Sequence, residues 1–265
     1  MYSKFQLASK YLRYYLTSSN GKGYGIHSPF VFEFITKILN DKTLYLEYKR
    51  VEELRKKILQ DTTLITVEDL GAGSAVDKTS QRIISSIAKN SAKQKKFGQL
   101  LFRMAKFYQS KTILELGTSL GITTSYLASA NSNANVISLE GAKSVAEISR
   151  NNFKQLGFNH IRLVEGNFDQ TLSTVVSGLS SIDLAFIDGN HQKLPTEKYF
   201  KQLLDKVHND SILIFDDIHW SREMEEAWKT IQENESVRCT IDLFFMGIVF
   251  FRKEFKEKQN FKIRF

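Results

Sequence analysis

Cysteine is nearly absent. Cys239 is the only one in 265 residues, so neither a disulfide framework nor a multi-cysteine zinc site can be built. Proline is almost as scarce: Pro29 and Pro195 are the only two, which leaves no proline-rich linker to part the chain. No run approaches the roughly 18 apolar residues that a membrane span requires. The opening MYSKFQLASKYLRYYL also lacks the apolar centre and small-residue cleavage site of a secretory signal. No internal repeat is visible, which sets solenoids and propellers aside. The default expectation is a reduced, cytoplasmic protein without a transmembrane segment.

What is present describes an ordinary globular chain, with 42% hydrophobic and 25% charged residues and enough length to bury a large core. Charge is unevenly spread. The net is +8, but residues 1–110 hold 19 basic and 9 acidic residues, 111–251 hold 12 and 18, and the last fourteen hold 6 and 2. An acidic middle between basic ends suits an anionic substrate, nucleic acid or a lipid surface, and equally describes solvated basic helices.

Rhythm divides the chain as well. Residues 1–60 read as helices broken near Asn20–Gly25, with Pro29 suited to the first turn of a helix over 29–39. Residues 80–108 read as one or two Lys-rich helices. From 111 onward short apolar runs alternate with helical stretches. The strand candidates are Thr112–Leu116, Val136–Leu139, Ile161–Val164, Leu184–Ile187 and Ile212–Phe215. The helix near 145–156 carries a capping box, Ser144 to Glu147, and a stop at Gly157. Strict β/α alternation implies right-handed crossovers and a parallel sheet. The adjacent runs Cys239–Phe244 and Ile248–Arg252 are joined too closely for anything but an antiparallel hairpin.

The chemistry gathers around one loop. The strand ending in Glu115-Leu116 runs into Gly117-Thr118-Ser119-Leu120-Gly121 and then a helix. Glycines there permit tight turning, and a helix N-terminus favours a negative group. A second strand ends in Glu140, where an acid can accept both hydroxyls of a ribose. An NAD site would prefer G-x-G-x-x-G. The loop also matches the G-x-S-x-G nucleophile elbow, but Asp216 or Asp217 stands too close to His219 to complete a triad, and Glu140 would have no role. A second glycine-containing stretch, Asp69-Leu-Gly-Ala-Gly73, has no acid-ending strand after it and is assigned no cofactor.

Together with Glu165-Gly-Asn167 and Phe186-Ile-Asp188-Gly-Asn-His191, these segments resemble a class I S-adenosylmethionine-dependent methyltransferase, in the catechol O-methyltransferase-like branch and its bacterial members. The resemblance implies an α/β fold with a Rossmann-like, doubly wound, seven-stranded sheet and an antiparallel last strand. It covers residues 98–252, leaving a basic, mainly helical N-terminal extension over 1–97 and a basic tail over 253–265. By the same resemblance Glu115, Gly117, Thr118, Ser119 and Gly121 surround the methionine moiety of S-adenosylmethionine, Glu140 holds the ribose, Asn167 and Phe168 meet the adenine, and Asp188 lies beside the sulfonium and the acceptor.

Two versions of the acceptor chemistry follow. Relatives in this branch bind Mg2+, which here implies Asp188, Asp216 and Asp217 as oxygen ligands. The metal-free version makes Asp188, His191 and His219 the catalytic set, with an imidazole as general base. The expected reaction is O-methylation of a small, anionic-compatible acceptor. The alternatives are a nucleic-acid methyltransferase docking through the basic extension and a non-catalytic Rossmann-like module. An oligomer is compatible with either.

Overall fold

A computed structural model describes residues 1–68 and 81–265. The stretch Asp69–Gly73, assigned no cofactor above, lies outside the described residues. The chain forms two compact units, one built from Met1–Asp41 with Leu179–Phe265 and the other from Lys42–Gly178. The basic segment over 1–97 is therefore shared between the units.

The first unit begins with α1 (Lys4–Thr17), capped by a box in which Ser3 and Gln6 satisfy each other's backbone N–H groups. Next come α2 (Pro29–Glu33), with Ser28 as N-cap and Pro29 in its first turn, and a π-helical turn over Phe34–Leu39. The second unit holds α3 (Leu46–Ile58), the short antiparallel pair β1 (Leu64–Thr66) and β2 (Gln81–Ile83), α4 (Ile84–Ser91) and α5 (Lys95–Phe107). It then alternates through β3 (Thr112–Leu116), α6 (Ile122–Ala130), β4 (Asn135–Glu140), α7 (Lys143–Leu156), β5 (Ile161–Glu165) and α8 (Phe168–Ser177). The chain returns to the first unit with β6 (Ile182–Ile187), α9 (Lys193–Leu204), β7 (Val207–Asp216), α10 (Arg222–Glu233), β8 (Cys239–Asp242), β9 (Met246–Phe250) and β10 (Gln259–Lys262).

In the second unit β4 pairs in parallel with β3 and with β5. Ile113, Leu114, Leu116, Val136 and Leu139 on these strands are fully buried, as expected of a parallel sheet covered on its faces. In the first unit β6 and β7 are parallel, β7 and β9 antiparallel, and β8 and β9 form the expected hairpin. Besides the β1–β2 pair, the described residues hold eight strands, one more than the seven expected. The extra strand is β10, parallel to β8, in what the sequence reads as a basic tail. The N-terminal segment is tied in by aromatic contacts: Phe30 meets Phe250 edge-on at 4.9 Å and Phe255 at 5.5 Å.

The capping box expected at Ser144 does not form. Helix α7 starts two residues earlier than expected, behind Ala142, and the Ser144 hydroxyl donates to the Thr66 carbonyl at 2.6 Å. Gly157 does end α7, in the left-handed conformation at φ +73°. No described helix is long and apolar enough to cross a membrane.

Candidate functional site

In the second unit, β3 delivers Gly117 through Gly121 to the start of α6. Gly117 has φ +102° and Gly121 +80°, a region that side-chain-bearing residues rarely enter. A Cβ on Gly121 would also sit 2.5 Å from the Phe153 ring, so the turn requires glycine twice over. β4 brings Glu140 to the same loop. Its Oε2 accepts the Ser119 N–H at 2.7 Å and its Oε1 the Ala142 N–H at 3.0 Å. Burial raises the Glu140 pKa, and the amides of Ala142, Ser119 and Gly141 only partly offset it. The loop and the acid are thus locked together around a carboxylate that its surroundings under-stabilise.

Other members of the expected cofactor set face differently. Glu115 is fully buried and accepts the hydroxyls of Thr124, on α6, and Ser138, on β4. It is a polar strut that joins β3, β4 and α6. The Thr118 side chain also turns inward, to the Ser138 hydroxyl, while Ser119 Oγ lies 2.8 Å from Ser91 Oγ. Asn167 is the N-cap of α8, its Oδ1 accepting the Asp169 N–H at 2.8 Å, and Phe168 is the first residue of that helix.

In the first unit, the ends of β6 and β7 bring Asp188, His191 and Asp216 together, with one ligand-type atom from each lying within 4.8 Å of the others. His191 Nε2 is 3.5 Å from Asp188 Oδ1. Asp216 is buried, and the other two are half-buried. Asp217 is not one of the three; it sits at φ +52° with its N–H on the Phe245 carbonyl at 2.8 Å. The donor set is therefore two carboxylates and an imidazole. That set departs from the all-oxygen shell that Mg2+ prefers, so no step is assigned to that ion.

His219 stands apart from this group. Its Nδ1 bonds Glu225 Oε1 and its Nε2 bonds Asp242 Oδ2, both at 2.9 Å, and its ring stacks on Phe244 at 5.1 Å. Burial pushes the imidazole pKa down, but the carboxylates of Asp242 and Glu225 more than reverse this, so the net shift is upward. With a carboxylate on each nitrogen the protonated form is favoured, and both ring nitrogens are engaged, which leaves neither open to an acceptor's proton. The general-base role expected of His219 does not fit this arrangement.

Residues 114–218 match a family model described as a methyltransferase domain. A catechol O-methyltransferase of Niastella koreensis is 31% identical over 131 residues, which is 48% of this chain and 57% of that protein. A catechol O-methyltransferase of Mycobacterium tuberculosis is 28% identical over 123 residues, 46% of this chain and 54% of that protein. The chain thus aligns with little more than half the length of these curated relatives. Among solved structures, the SAH-bound methyltransferase of Podospora anserina superposes with a TM-score of 0.59 at 14% identity, covering 95% of this chain and 98% of that one. Residues 114–218 are thus similar to a methyltransferase domain, on a fold shared with that structure.

Several residues around the methyltransferase-like site were not signalled by sequence. Thr124 and Ser138 hold Glu115, and Ser91 meets Ser119, across separations of 9, 23 and 28 residues. Asn190, between Asp188 and His191, sits at φ +53° and donates to the Tyr199 hydroxyl at 3.2 Å. Glu225 and Asp242 fix His219. A helix-face pattern could flag Glu225 as a partner for something, but no local motif names what.

Proposed function

We propose that this protein is an S-adenosylmethionine-dependent O-methyltransferase acting on a small-molecule acceptor. The observation that carries the reading is the Glu140 cradle. A half-buried carboxylate tied to the glycine loop through Ser119 is disfavoured there as an anion despite its backbone donors, and a ribose diol would supply two more. The tight glycine turn, which admits no Cβ at Gly121, is proposed to let the cofactor's amino-acid end approach the loop backbone closely. Asn167 and Phe168 are the residues proposed for the adenine, and Asp188 for the sulfonium side. When bound, S-adenosylmethionine supplies an electrophilic methyl group.

The acceptor must lose a proton for the oxygen to attack, and His191 is the proposed base. Asp188, 3.5 Å from its Nε2, steadies the imidazolium that forms, and buried Asp216 adds a second negative charge to the group. Calorimetry with S-adenosylhomocysteine tests the cofactor assignment. Charge-assisted hydrogen bonds are worth about 1.5–3 kcal/mol, so Glu140→Ala should weaken binding about ten- to a hundredfold; unchanged affinity in a folded variant would remove the assignment. In a screen of small hydroxylated acceptors, His191→Ala should lower turnover about 10²- to 10⁴-fold with cofactor affinity intact. Turnover abolished by a chelator would replace the base with a metal-assisted mechanism.

A further inference from the structure

Helix α1 meets its unit through one side. Tyr11 and Tyr14 lie 5.0 and 5.3 Å from Phe244, the Tyr14 hydroxyl reaches the carbonyls of Asp242 and Ile263, and Lys10 reaches Glu225 at 3.0 Å. At 3.6 residues per turn, Phe5, Leu12 and Leu16 fall on one line on the opposite side. They are 83%, 59% and 69% exposed. A helix resting on a water-soluble body ordinarily turns polar residues outward at that point. Here the outward line is apolar but for Ser9.

Charge is the second observation. α1 carries Lys4, Lys10 and Arg13 and no acid, although a helix N-terminus favours acidic residues in its first turn. Lys10 is engaged by Glu225, while exposed Lys4 and Arg13 project on either side of the apolar line. At the helix's C-terminal end, Tyr15, Lys22, Tyr24 and Arg264 line an open groove of about 450 Å³. The Arg264 guanidinium lies 4.5 Å over the Tyr15 ring, and Tyr24 is 74% exposed. Tyrosines that combine an apolar ring with a wet hydroxyl, set beside cations, suit the headgroup level of a bilayer.

We propose that α1 is an interfacial helix that docks this protein on an anionic lipid bilayer. Phe5, Leu12 and Leu16 enter the acyl boundary, Lys4 and Arg13 meet lipid phosphates, and Tyr15, Tyr24 and Arg264 lie at headgroup depth. Apolar burial and electrostatic attraction act together, the pairing that reversible surface binding requires. A second copy of the chain is the poorer occupant, because it would bring its own Lys4 and Arg13 to the contact.

Vesicle flotation with the full chain tests the proposal. The protein should float with vesicles containing phosphatidylglycerol, float weakly or not at all with pure phosphatidylcholine, and be released by high salt. Phe5→Ser/Leu12→Ser/Leu16→Ser should weaken binding at least about a hundredfold. Lys4→Gln/Arg13→Gln should weaken it about 25-fold, at roughly fivefold per charge. These side chains are exposed, so circular dichroism and denaturant midpoints of the variants should match the parent. Equal partitioning onto neutral and anionic vesicles, or undiminished flotation of the triple variant, would overturn the proposal. So would a parent dimer that the triple variant splits in sedimentation, since the line would then be a self-association face.

Discussion

Glu140 in the second unit and His219 in the first are both half-buried ionisable groups, and their surroundings are opposite. His219 has a carboxylate on each ring nitrogen, and its charge is favoured. Among the described residues Glu140 has backbone N–H groups as its donors, and its charge is penalised. A satisfied charge is a strut, whereas a penalised one at the end of a strand, tied to a glycine turn, is on the proposed reading the one that a hydrogen-bond-donating ligand would stabilise. The comparison moves the search for chemistry from His219 to Glu140 and to His191.

Breaking the strut should cost most. Asp242 is 2% exposed, and besides His219 its Oδ1 accepts the Phe244 N–H at 2.8 Å. Asp242→Ala leaves a half-buried imidazolium short of one anion and the Phe244 N–H without its acceptor, a loss of about 3–4 kcal/mol that a denaturant melt would register. Asp242→Asn keeps the acceptor toward Phe244 and should recover part of the loss. A melt of Asp242→Ala within about 0.5 kcal/mol of the parent, the range of an ordinary surface change, would show that His219 is not held as argued.

Breaking the cradle should come next. Gly121→Ala places a methyl 2.5 Å from Phe153 at φ +80°, combining overpacking with left-handed backbone strain at about 2–4 kcal/mol. Affinity for S-adenosylhomocysteine should fall in the same variant, because the loop that fixes Ser119 against Glu140 must shift. Gly157→Ala is the informative control. Its φ is +73°, but nothing lies within 4 Å of a Cβ there, so it should show the strain alone and leave the cofactor unaffected.

Much of this was legible in the sequence, for physical reasons that also mark where legibility stops. The β/α alternation after residue 111 survives because buried parallel strands must be apolar throughout, and β3 lies where expected, at Thr112–Leu116. Strand β10, with the sequence QNFK, alternates between partly and fully exposed residues and owes its existence to pairing with β8, which no local pattern announces. Ser144 and Glu147 have the spacing of a capping box, but Thr66 offers the serine a carbonyl and Glu140 takes the Ala142 N–H. Glu140 itself was legible because strand end, acid and glycine loop lie within 25 residues. His219 was misread because it follows Asp216 and Asp217 in sequence, whereas its partners are 6 and 23 residues away.

The smallest effect separates the two charges by pH. The folded-state pKa of His219 is raised from 6.5. Its stabilisation is therefore fully present below about pH 6.5 and is lost as pH rises through the folded value. Glu140 is raised from 4.5, so the folded state holds that proton more tightly than the unfolded chain, and stability declines as pH climbs above 4.5 toward the folded value. Both groups make stability fall with rising pH, but the lower window opens at 4.5 and the upper at 6.5. Measured as the difference in denaturant midpoint between parent and variant, so that the lowered carboxylates such as Glu225 cancel, the two contributions should descend in two stages. A tenfold change in proton affinity is worth about 1.4 kcal/mol, which sets the scale of each stage. Glu140→Gln should flatten the lower stage and His219→Gln the upper. Saturating S-adenosylhomocysteine should also shrink the lower stage, because donors on the carboxylate favour its charged form, while leaving the upper stage as it was. A lower stage indifferent to S-adenosylhomocysteine would separate Glu140 from the cofactor and make it a second strut.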